Sequence, residues 1–129
     1  MVVGLGVDIF EVDRIEAELS PRDPAFFREI FSPDEITDCE GQRRPAAHYA
    51  ARFAAKEAVL KALAPPRQAD VPLVWRDIVI HRQRDGGHDV LLSGDVKALA
   101  DQRGVARILL SIALARGVAL ASVVLESHP

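Results

Sequence analysis

Three charged side chains on two segments have types and spacing that could support chemistry on phosphates. Asp8 lies at the end of a short apolar segment, and Glu57 and Lys61 lie one helical turn apart in a later segment. Two well-separated carboxylates, completed by water and substrate phosphates, are a ligand set that suits Mg²⁺. The spacing alone does not bring Asp8 to Glu57, and it also permits ordinary roles. Glu57 and Lys61 could form a surface i,i+4 pair, and Asp8 could be a cap or turn residue.

The segment that positions Glu57 and Lys61 is the most strongly predicted helix of the chain. Residues 46–64 are rich in Ala, Leu, Lys and Glu and contain no interior Gly or Pro. Glu57 and Lys61 follow one border of its apolar stripe, while Arg52 and Lys56 follow the other, so all four could point into a cleft beside the core. The stripe consists of Tyr49, Phe53, Leu60 and Leu63.

The segment that carries Asp8 is predicted as a strand over residues 2–9. Its two faces differ sharply, because apolar side chains alternate with glycine. The first face holds Val3, Leu5, Val7 and Ile9. The second holds Gly4, Gly6 and Asp8, so it is almost bare of side chains. We therefore expect another part of the molecule to approach the backbone there, beside a lone carboxylate.

The rest of the pattern predicts an α+β domain over residues 1–129, with an antiparallel sheet and one long core helix. The predicted element order is β-α-α-α-β-β-α-β-β. Helical periodicity occupies residues 10–19, and a short helical piece precedes a helix start at Ser32–Glu35. The later elements are strands over 75–82 and 90–92, a helix over 94–103, and strands over 106–113 and 118–125.

Composition excludes several classes of function. The 129 residues include 16 Lys and Arg against 19 Asp and Glu, a net charge of −3, and only 5% are aromatic. A nucleic-acid coat or a polybasic membrane binder needs excess positive charge, so we expect no nucleic-acid or membrane partner. One cysteine excludes an internal disulfide, and no signal peptide or spanning segment is recognised, which predicts a cytoplasmic protein. A chain this short also suggests that a second subunit completes any large cofactor site.

The remaining candidate residues have ordinary interpretations. The four histidines, His48, His81, His88 and His128, lack metal-ligand spacing and are interpreted as surface or strand residues. Cys39 is predicted to be an inert thiol, and Arg43-Arg44 a solvated loop. The glycines near the start do not form a dinucleotide-binding fingerprint, and no P-loop is present.

Several segments together resemble the holo-acyl-carrier-protein synthases, the short 4′-phosphopantetheinyl transferases. They occur in family order and spacing over nearly the whole chain, which is identified as a divergent member. The segments are GVDIFEVDRI at 6–15, F-x-x-x-E at 31–35, RFAAKEAVLKAL at 52–63, WRDI at 75–78 and AxAxVVLE at 119–126. The resemblance implies a 4′-phosphopantetheinyl transferase-like fold and a homotrimer with each active site between two subunits.

The resemblance also implies a reaction. Mg²⁺ holds the pyrophosphate of coenzyme A while a serine hydroxyl of an apo acyl carrier protein, from fatty acid or polyketide biosynthesis, attacks the β-phosphate. Phosphopantetheine is transferred and 3′,5′-adenosine bisphosphate leaves. By position, Asp8 and Glu57 would be metal ligands, and Glu57 would also take the serine proton, directly or through a water. Lys61 would contact the phosphates and stabilise transition-state charge, and Arg52 would contact the coenzyme A phosphates.

Arg14 matches a family position that faces the acidic recognition helix of the carrier protein. The spacing equally permits an intrahelical partner, Glu11 or Glu18.

Three features depart from the family pattern. Ala64–Pro66 replaces a glycine loop, and Gly86, Gly87 and His88 replace a G-K-P-like turn. Ala113, Leu114 and Ala115 replace a Ser-His-Thr or Ser-His-Asp segment. These departures leave two alternatives to an active transferase. One is a non-catalytic relative that docks a carrier protein, and the other is a relative repurposed for a carrier-bound or coenzyme A-linked substrate.

Overall fold

The computed structural model describes residues 1–18, 24–63 and 74–129. Its elements confirm the predicted mixed α+β class with antiparallel pairing. They are β1 (Val2–Glu11), α1 (Val12–Glu18), α2 (Pro24–Ile30), α3 (Pro33–Glu40), α4 (Pro45–Leu63), a 3₁₀ turn (Trp75–Asp77), β2 (Ile78–Arg82), β3 (His88–Leu92), α5 (Gly94–Gln102), β4 (Val105–Ala115) and β5 (Val118–Ser127). The predicted glycine-loop replacement at Ala64–Pro66 lies outside the described residues.

Two boundaries differ from the predicted element order. The described residues between β1 and β2 contain four helices instead of three, because α2 ends before a capping box that starts α3. In that box the Ser32 side chain accepts from the Glu35 N–H, and the Glu35 carboxylate accepts from the Ser32 N–H. Residues 75–77 form a 3₁₀ turn rather than the start of a strand, since the Asp77 N–H bonds to the Val74 carbonyl.

The five strands in the described part of the chain form two antiparallel sheets. The larger has the order β1-β5-β4, and the smaller is the β2–β3 hairpin. In the larger sheet β5 is central, with Gly6 opposite Val123 and Asp8 opposite Ala121. Asp8 therefore lies within β1, which continues to Glu11, and the prediction that it ends a strand is wrong.

Helix α4 lies against the bare face of β1. A Cβ built at Gly6 would lie 2.0 Å from the Ala58 carbonyl oxygen, and one at Gly4 would lie 2.4 Å from that of Ala62. Real Cβ atoms do not approach so closely, so only glycine permits this contact. The predicted close approach to β1 is confirmed, and the approaching group is the backbone of the helix that carries Glu57 and Lys61.

Helix α4 is buried on most of its circumference, not along a single stripe. The predicted stripe members Phe53 and Leu60 are only half-buried, while Arg52 and Lys56 are fully buried. Small alanine side chains let strands and helices pack against several sides. The expectation of a neighbouring cleft is therefore wrong for Lys56, whereas Arg52, although buried, lines a groove. None of the helices in the described part of the chain combines the length and apolar character needed to cross a membrane.

The opposite face of the larger sheet is apolar and exposed. We call it the open sheet face. Its residue Leu5 has 66% of its surface accessible to solvent. It is formed by Leu5, Val7, Ile9, Leu109 and Leu120. The alternation of β1 is thus confirmed, with its glycine face toward α4 and its apolar face toward solvent.

Candidate active site

Asp8 and Lys61 form an ion pair that joins β1 to α4. The Lys61 ammonium donates to Asp8 Oδ1 at 2.7 Å and to the Val7 carbonyl at 3.3 Å. The carboxylate is largely shielded, whereas the lysine side chain is half exposed. Asp8 is therefore neither a helix cap nor a turn residue, because its carboxylate binds a side chain more than fifty positions away.

Glu57 shares the electrostatic environment of this pair. Burial raises the pKa of Glu57 above its ordinary value, the negative charge of Asp8 raises it further, and Lys61 opposes both. The hydrogen bond to Asp8 raises the pKa of Lys61. The structure thus brings Asp8, Glu57 and Lys61 into one electrostatic group, and the ion pair of Lys61 is directed to β1 rather than along its own helix.

The donor set of Asp8 and Glu57 fits a magnesium ion. The two carboxylates repel each other and one is partly desolvated, so a cation placed beside both relieves an existing electrostatic cost. Within residues 1–18, 24–63 and 74–129, no group of three or more His, Cys, Asp or Glu side chains could hold a metal. A metal bound at Asp8 and Glu57 would therefore need further ligands from water and phosphate, as Mg²⁺ usually does.

Arg52 lies away from this group. Its guanidinium donates to the Asp38 carboxylate, to Cys39 Sγ at 3.3 Å and to the Ile80 carbonyl at 3.3 Å. Five positions separate it from Glu57, which places the two on different sides of the helix. Arg52 instead borders a groove on the far side of α4, and its contact with coenzyme A phosphates stays a prediction.

Arg14 lies on the exposed side of α1, where its guanidinium carbon is 4.8 Å from the centre of the Phe10 ring. This geometry is suited to a cation–π contact. The Phe10 ring in turn packs edge-on against Phe53 of α4, with ring centres 4.7 Å apart. The suggested role of Arg14 toward a carrier protein stays a prediction.

Sequence reasoning missed a buried ion pair next to the site. Lys56, adjacent to Glu57, donates to Glu35 Oε1 at 2.8 Å, to the Ile30 carbonyl at 2.6 Å and to the Trp75 carbonyl at 3.3 Å. Glu35 Oε2 accepts from the Ile80 N–H at 3.1 Å. The hydrogen bonds of this pair thus connect α4 to α2, α3, the 3₁₀ turn and β2. The sequence did indicate the position of Glu35, because this residue occupies the third helical position of the capping box that starts α3.

Cys39 and three of the histidines match their predicted interpretations. Cys39 is fully buried, and this burial raises the pKa of its thiol to about 12, so the thiol stays neutral. His81 and His128 are exposed, and His88 lies in strand β3. His48, by contrast, is half-buried in α4, and it lines one groove together with His88, a juxtaposition that their separation of forty residues did not signal.

Comparison with known proteins finds relatives that match this chain over nearly its whole length. The family model described as 4′-phosphopantetheinyl transferase superfamily matches residues 4–121. The chain is 40% identical over 129 residues to the holo-[acyl-carrier-protein] synthase of Anaeromyxobacter sp. (strain K), covering 98% of this chain and 97% of the relative. It is 38% identical over 126 residues to the holo-[acyl-carrier-protein] synthase of Syntrophus aciditrophicus (strain SB), with the same coverage.

A solved structure extends the likeness to three dimensions. The Chronobacterium ammoniagenes ACPS–CoA complex superposes with a TM-score of 0.82 at 28% identity, covering 98% of each chain. Residues 4–121, which the family model matches, include α4 and most of β1, the elements that carry Asp8, Glu57 and Lys61. The chain therefore belongs to the 4′-phosphopantetheinyl transferase superfamily.

Proposed function

We propose that this protein transfers 4′-phosphopantetheine from coenzyme A to a serine of an apo acyl carrier protein. The observation that carries the proposal is the convergence of Asp8, Glu57 and Lys61 from β1 and α4. Relatives at about 40% identity are named holo-[acyl-carrier-protein] synthases, and a solved relative is a complex with CoA. The convergence favours an active transferase over a non-catalytic or repurposed relative, because a docking module has no need of this charged group.

The charged group suits an in-line phosphoryl transfer. The serine oxygen bonds to the β-phosphorus as the bond from that phosphorus to the bridging oxygen breaks, and 3′,5′-adenosine bisphosphate leaves with the electron pair. Glu57 takes the serine proton, and burial, which raises its pKa, makes it a better base. Lys61 offsets the negative charge on the phosphates, where fixed positive charge has its greatest effect.

We propose that Asp8 and Glu57 also hold Mg²⁺. A bound Mg²⁺ would neutralise pyrophosphate charge, and the two carboxylates provide oxygen ligands of the preferred kind. Lys61 is half exposed, so its ammonium can exchange Asp8 for a phosphate oxygen without a large desolvation cost. We assign Arg52 to the coenzyme A phosphates and Arg14 to the acidic carrier protein, and the single buried thiol suits a cytoplasmic setting.

We further propose that the working unit is a homotrimer with active sites between subunits. The support is the open sheet face, since a contiguous apolar surface of this kind on a soluble domain marks an interaction site. Val7→Asp, at the centre of β1, should abolish assembly in analytical ultracentrifugation. The exposed control His81→Asp, outside this face, should not. A wild-type protein that sediments as a monomer would contradict the proposal.

Intact-protein mass spectrometry tests the transferase directly. Incubation with coenzyme A, Mg²⁺ and an apo carrier protein from the same genome should add one phosphopantetheine to the carrier. Glu57→Gln and Lys61→Ala should each lower turnover at least about 100-fold, because each removes charge that acts on the reacting group. Lys97→Ala, which breaks an exposed helical pair with Asp101, is the matched control and should keep full activity.

A carrier protein that binds but never gains mass would overturn the transferase and favour a docking module. Full activity in both site variants would overturn the assigned roles while leaving the reaction in place.

A further inference from the structure

Arg103 joins the two elements that carry the candidate active site. It follows α5 directly, and its guanidinium reaches the end of α4 and the start of β1. Nη1 donates to the Ala62 carbonyl at 3.1 Å and to the Leu63 carbonyl, and Nη2 donates to the Val3 carbonyl at 2.7 Å. The side chain is partly buried, and none of the ion pairs between described residues involves it. Its donors are thus directed to backbone carbonyls of two different elements.

The two carbonyls of α4 lie where a helix needs partners from outside. The final carbonyls of an α-helix have no N–H of the same helix to accept from, and they form the negative end of the helix dipole. A guanidinium supplies both donors and positive charge at that end. Lys61, the basic residue of the last turn, directs its ammonium to β1 instead. Arg103 therefore stabilises the last turn of α4 from a different element.

One of these carbonyls also marks the contact between α4 and β1. A Cβ on Gly4 would collide with the Ala62 carbonyl oxygen, the atom that accepts from Arg103. The glycines allow strand and helix to approach, but apolar contact is not directional and does not fix how far one slides along the other. The hydrogen bonds of Arg103 are directional, and they connect Ala62 to Val3, the residue before Gly4. Arg103 therefore holds the alignment of the helix with the strand.

The position of Lys61 depends on this last turn. Lys61 directly precedes Ala62, and its ammonium reaches across to β1. Helix ends fray when their terminal groups lose partners. Glu57 lies one turn further from the end, next to Lys56, whose buried hydrogen bonds hold that part of the helix. Loss of Arg103 should therefore displace Lys61 more than Glu57.

We propose that Arg103 is a positioning residue for the transfer reaction and that it acts through Lys61. It holds the last turn of α4 against β1, so that the Lys61 ammonium is presented to the phosphates beside Asp8. Arg103 itself has no need to touch the substrate, because its donors bind carbonyls of α4 and β1. The role in the reaction rests on the proposed function, whereas the hold on α4 does not.

A double-mutant cycle tests whether Arg103 acts through Lys61. Arg103→Met removes the donors at similar side-chain length and should lower kcat about tenfold in the otherwise wild-type protein. In the Lys61→Ala background the same change should lower kcat less than about twofold, because the group that Arg103 positions is absent. A merely structural contribution would lower kcat by the same factor in both backgrounds. Lys97→Met, at an exposed basic residue of α5, is the matched control and should leave kcat unchanged in either background.

Arg103→Lys is the conservative variant, and it carries the same cycle if Arg103→Met does not fold. A lysine keeps positive charge at the end of α4 but lacks the fork that spans two elements. Its kcat should lie between those of the wild type and Arg103→Met, about threefold below the wild type, with the same dependence on Lys61. A loss in Arg103→Lys that is equal in both Lys61 backgrounds would overturn the proposal.

Amide hydrogen exchange followed by NMR tests the hold on α4 without any substrate. Arg103→Met should speed exchange at Ala62 and Leu63 about tenfold relative to Ala54 in the middle of the helix, because the last turn frays. Lys97→Met should leave all three amides unchanged. Unchanged exchange in Arg103→Met, or an unchanged kcat, would overturn the proposal. A wild-type protein without transfer activity would overturn the proposed function and the role in the reaction with it, and the exchange rates would still show whether Arg103 holds α4.

Discussion

Two lysines on α4, five positions apart, form ion pairs of nearly equal length in opposite surroundings. Lys56 binds Glu35 at 2.8 Å with side-chain exposures of 0% and 1%, and Lys61 binds Asp8 at 2.7 Å with exposures of 53% and 13%. The buried pair has additional partners at two backbone carbonyls and two backbone N–H groups, those of Ser32 and Ile80. The two pairs therefore have almost the same nitrogen–oxygen distance and differ in their exposure to solvent.

This difference separates the structural role of Lys56 from the chemical role that we propose for Lys61. Lys56 has no route to a ligand, and in the described structure every buried side-chain nitrogen and oxygen has a hydrogen-bond partner. Breaking such a pair leaves a charge without compensation in the interior. Lys61 loses little when it leaves Asp8, because water and a phosphate can both solvate its ammonium. The helix thus combines a fixed lysine with an exchangeable one.

The largest expected effect comes from breaking the buried pair. Glu35→Ala should lower the free energy of unfolding by about 3–5 kcal/mol, because Lys56 and the Ile80 N–H lose their partner. Urea denaturation followed by circular dichroism measures this loss. Lys61→Ala, which breaks the exposed pair, should change stability by no more than about 1 kcal/mol. Similar losses in both variants would show that exposure does not separate the pairs.

A substitution that separates β1 from α4 should disturb the exposed pair and spare the buried one. In Gly6→Ala the new Cβ meets the Ala58 carbonyl at 2.0 Å, so strand and helix must move apart. We expect a stability loss of about 1–3 kcal/mol and a fall in turnover of about 100-fold as Asp8 moves away from Glu57.

Gly41→Ala is the matched control for this displacement. Its Cβ would lie 3.4 Å from the Thr37 carbonyl, and the backbone there has an ordinary negative φ. Stability and turnover should both stay near the wild-type values. If Gly6→Ala also left stability and turnover unchanged, the close contact between β1 and α4 would not position the site.

The smallest expected effect concerns the charge of Glu57. Its folded-state pKa lies above the ordinary value of 4.5, so ionisation costs stability as pH rises through this range, and the cost is complete above the folded pKa. Without metal, Glu57→Gln should therefore raise the melting temperature at pH 7.5 and lose this advantage below about pH 4.5. Differential scanning calorimetry in EDTA measures the change. A lower melting temperature at pH 7.5 would contradict the direction of the pKa shift.

Local patterns predicted the parts of the fold that depend on neighbouring residues. Alternation in β1 separated the bare face of Gly4 and Gly6 from the apolar face, and the absence of interior Gly and Pro predicted α4 to within one residue of each of its observed bounds. The association of Asp8 with Glu57 and Lys61 was implied by family resemblance, since their spacing did not bring them together. The structure gathers the three residues through long-range packing.

Long-range contacts also explain what the patterns missed. Helical periodicity placed Arg52 and Lys56 at the edge of a stripe, because charged side chains are usually solvated. Arg52 is buried against Asp38, 14 positions away, and Lys56 against Glu35, 21 positions away. The helical periodicity of α4 contains no information about partners at such distances in the sequence. The meeting of His48 and His88 likewise depends on how the β2–β3 hairpin docks beside α4.

The proposed assembly through the open sheet face would link the stability of this small protein to its abundance. A lone protomer keeps Leu5, Val7 and Ile9 in water, and each square ångström of apolar surface that association covers contributes about 25 cal/mol. By mass action, dilution should then lower the melting temperature, and a cell that makes little of the protein would hold a larger unfolded fraction. A substitution on this face far from Glu57 could consequently reduce cellular activity with no change in the chemistry of an assembled site.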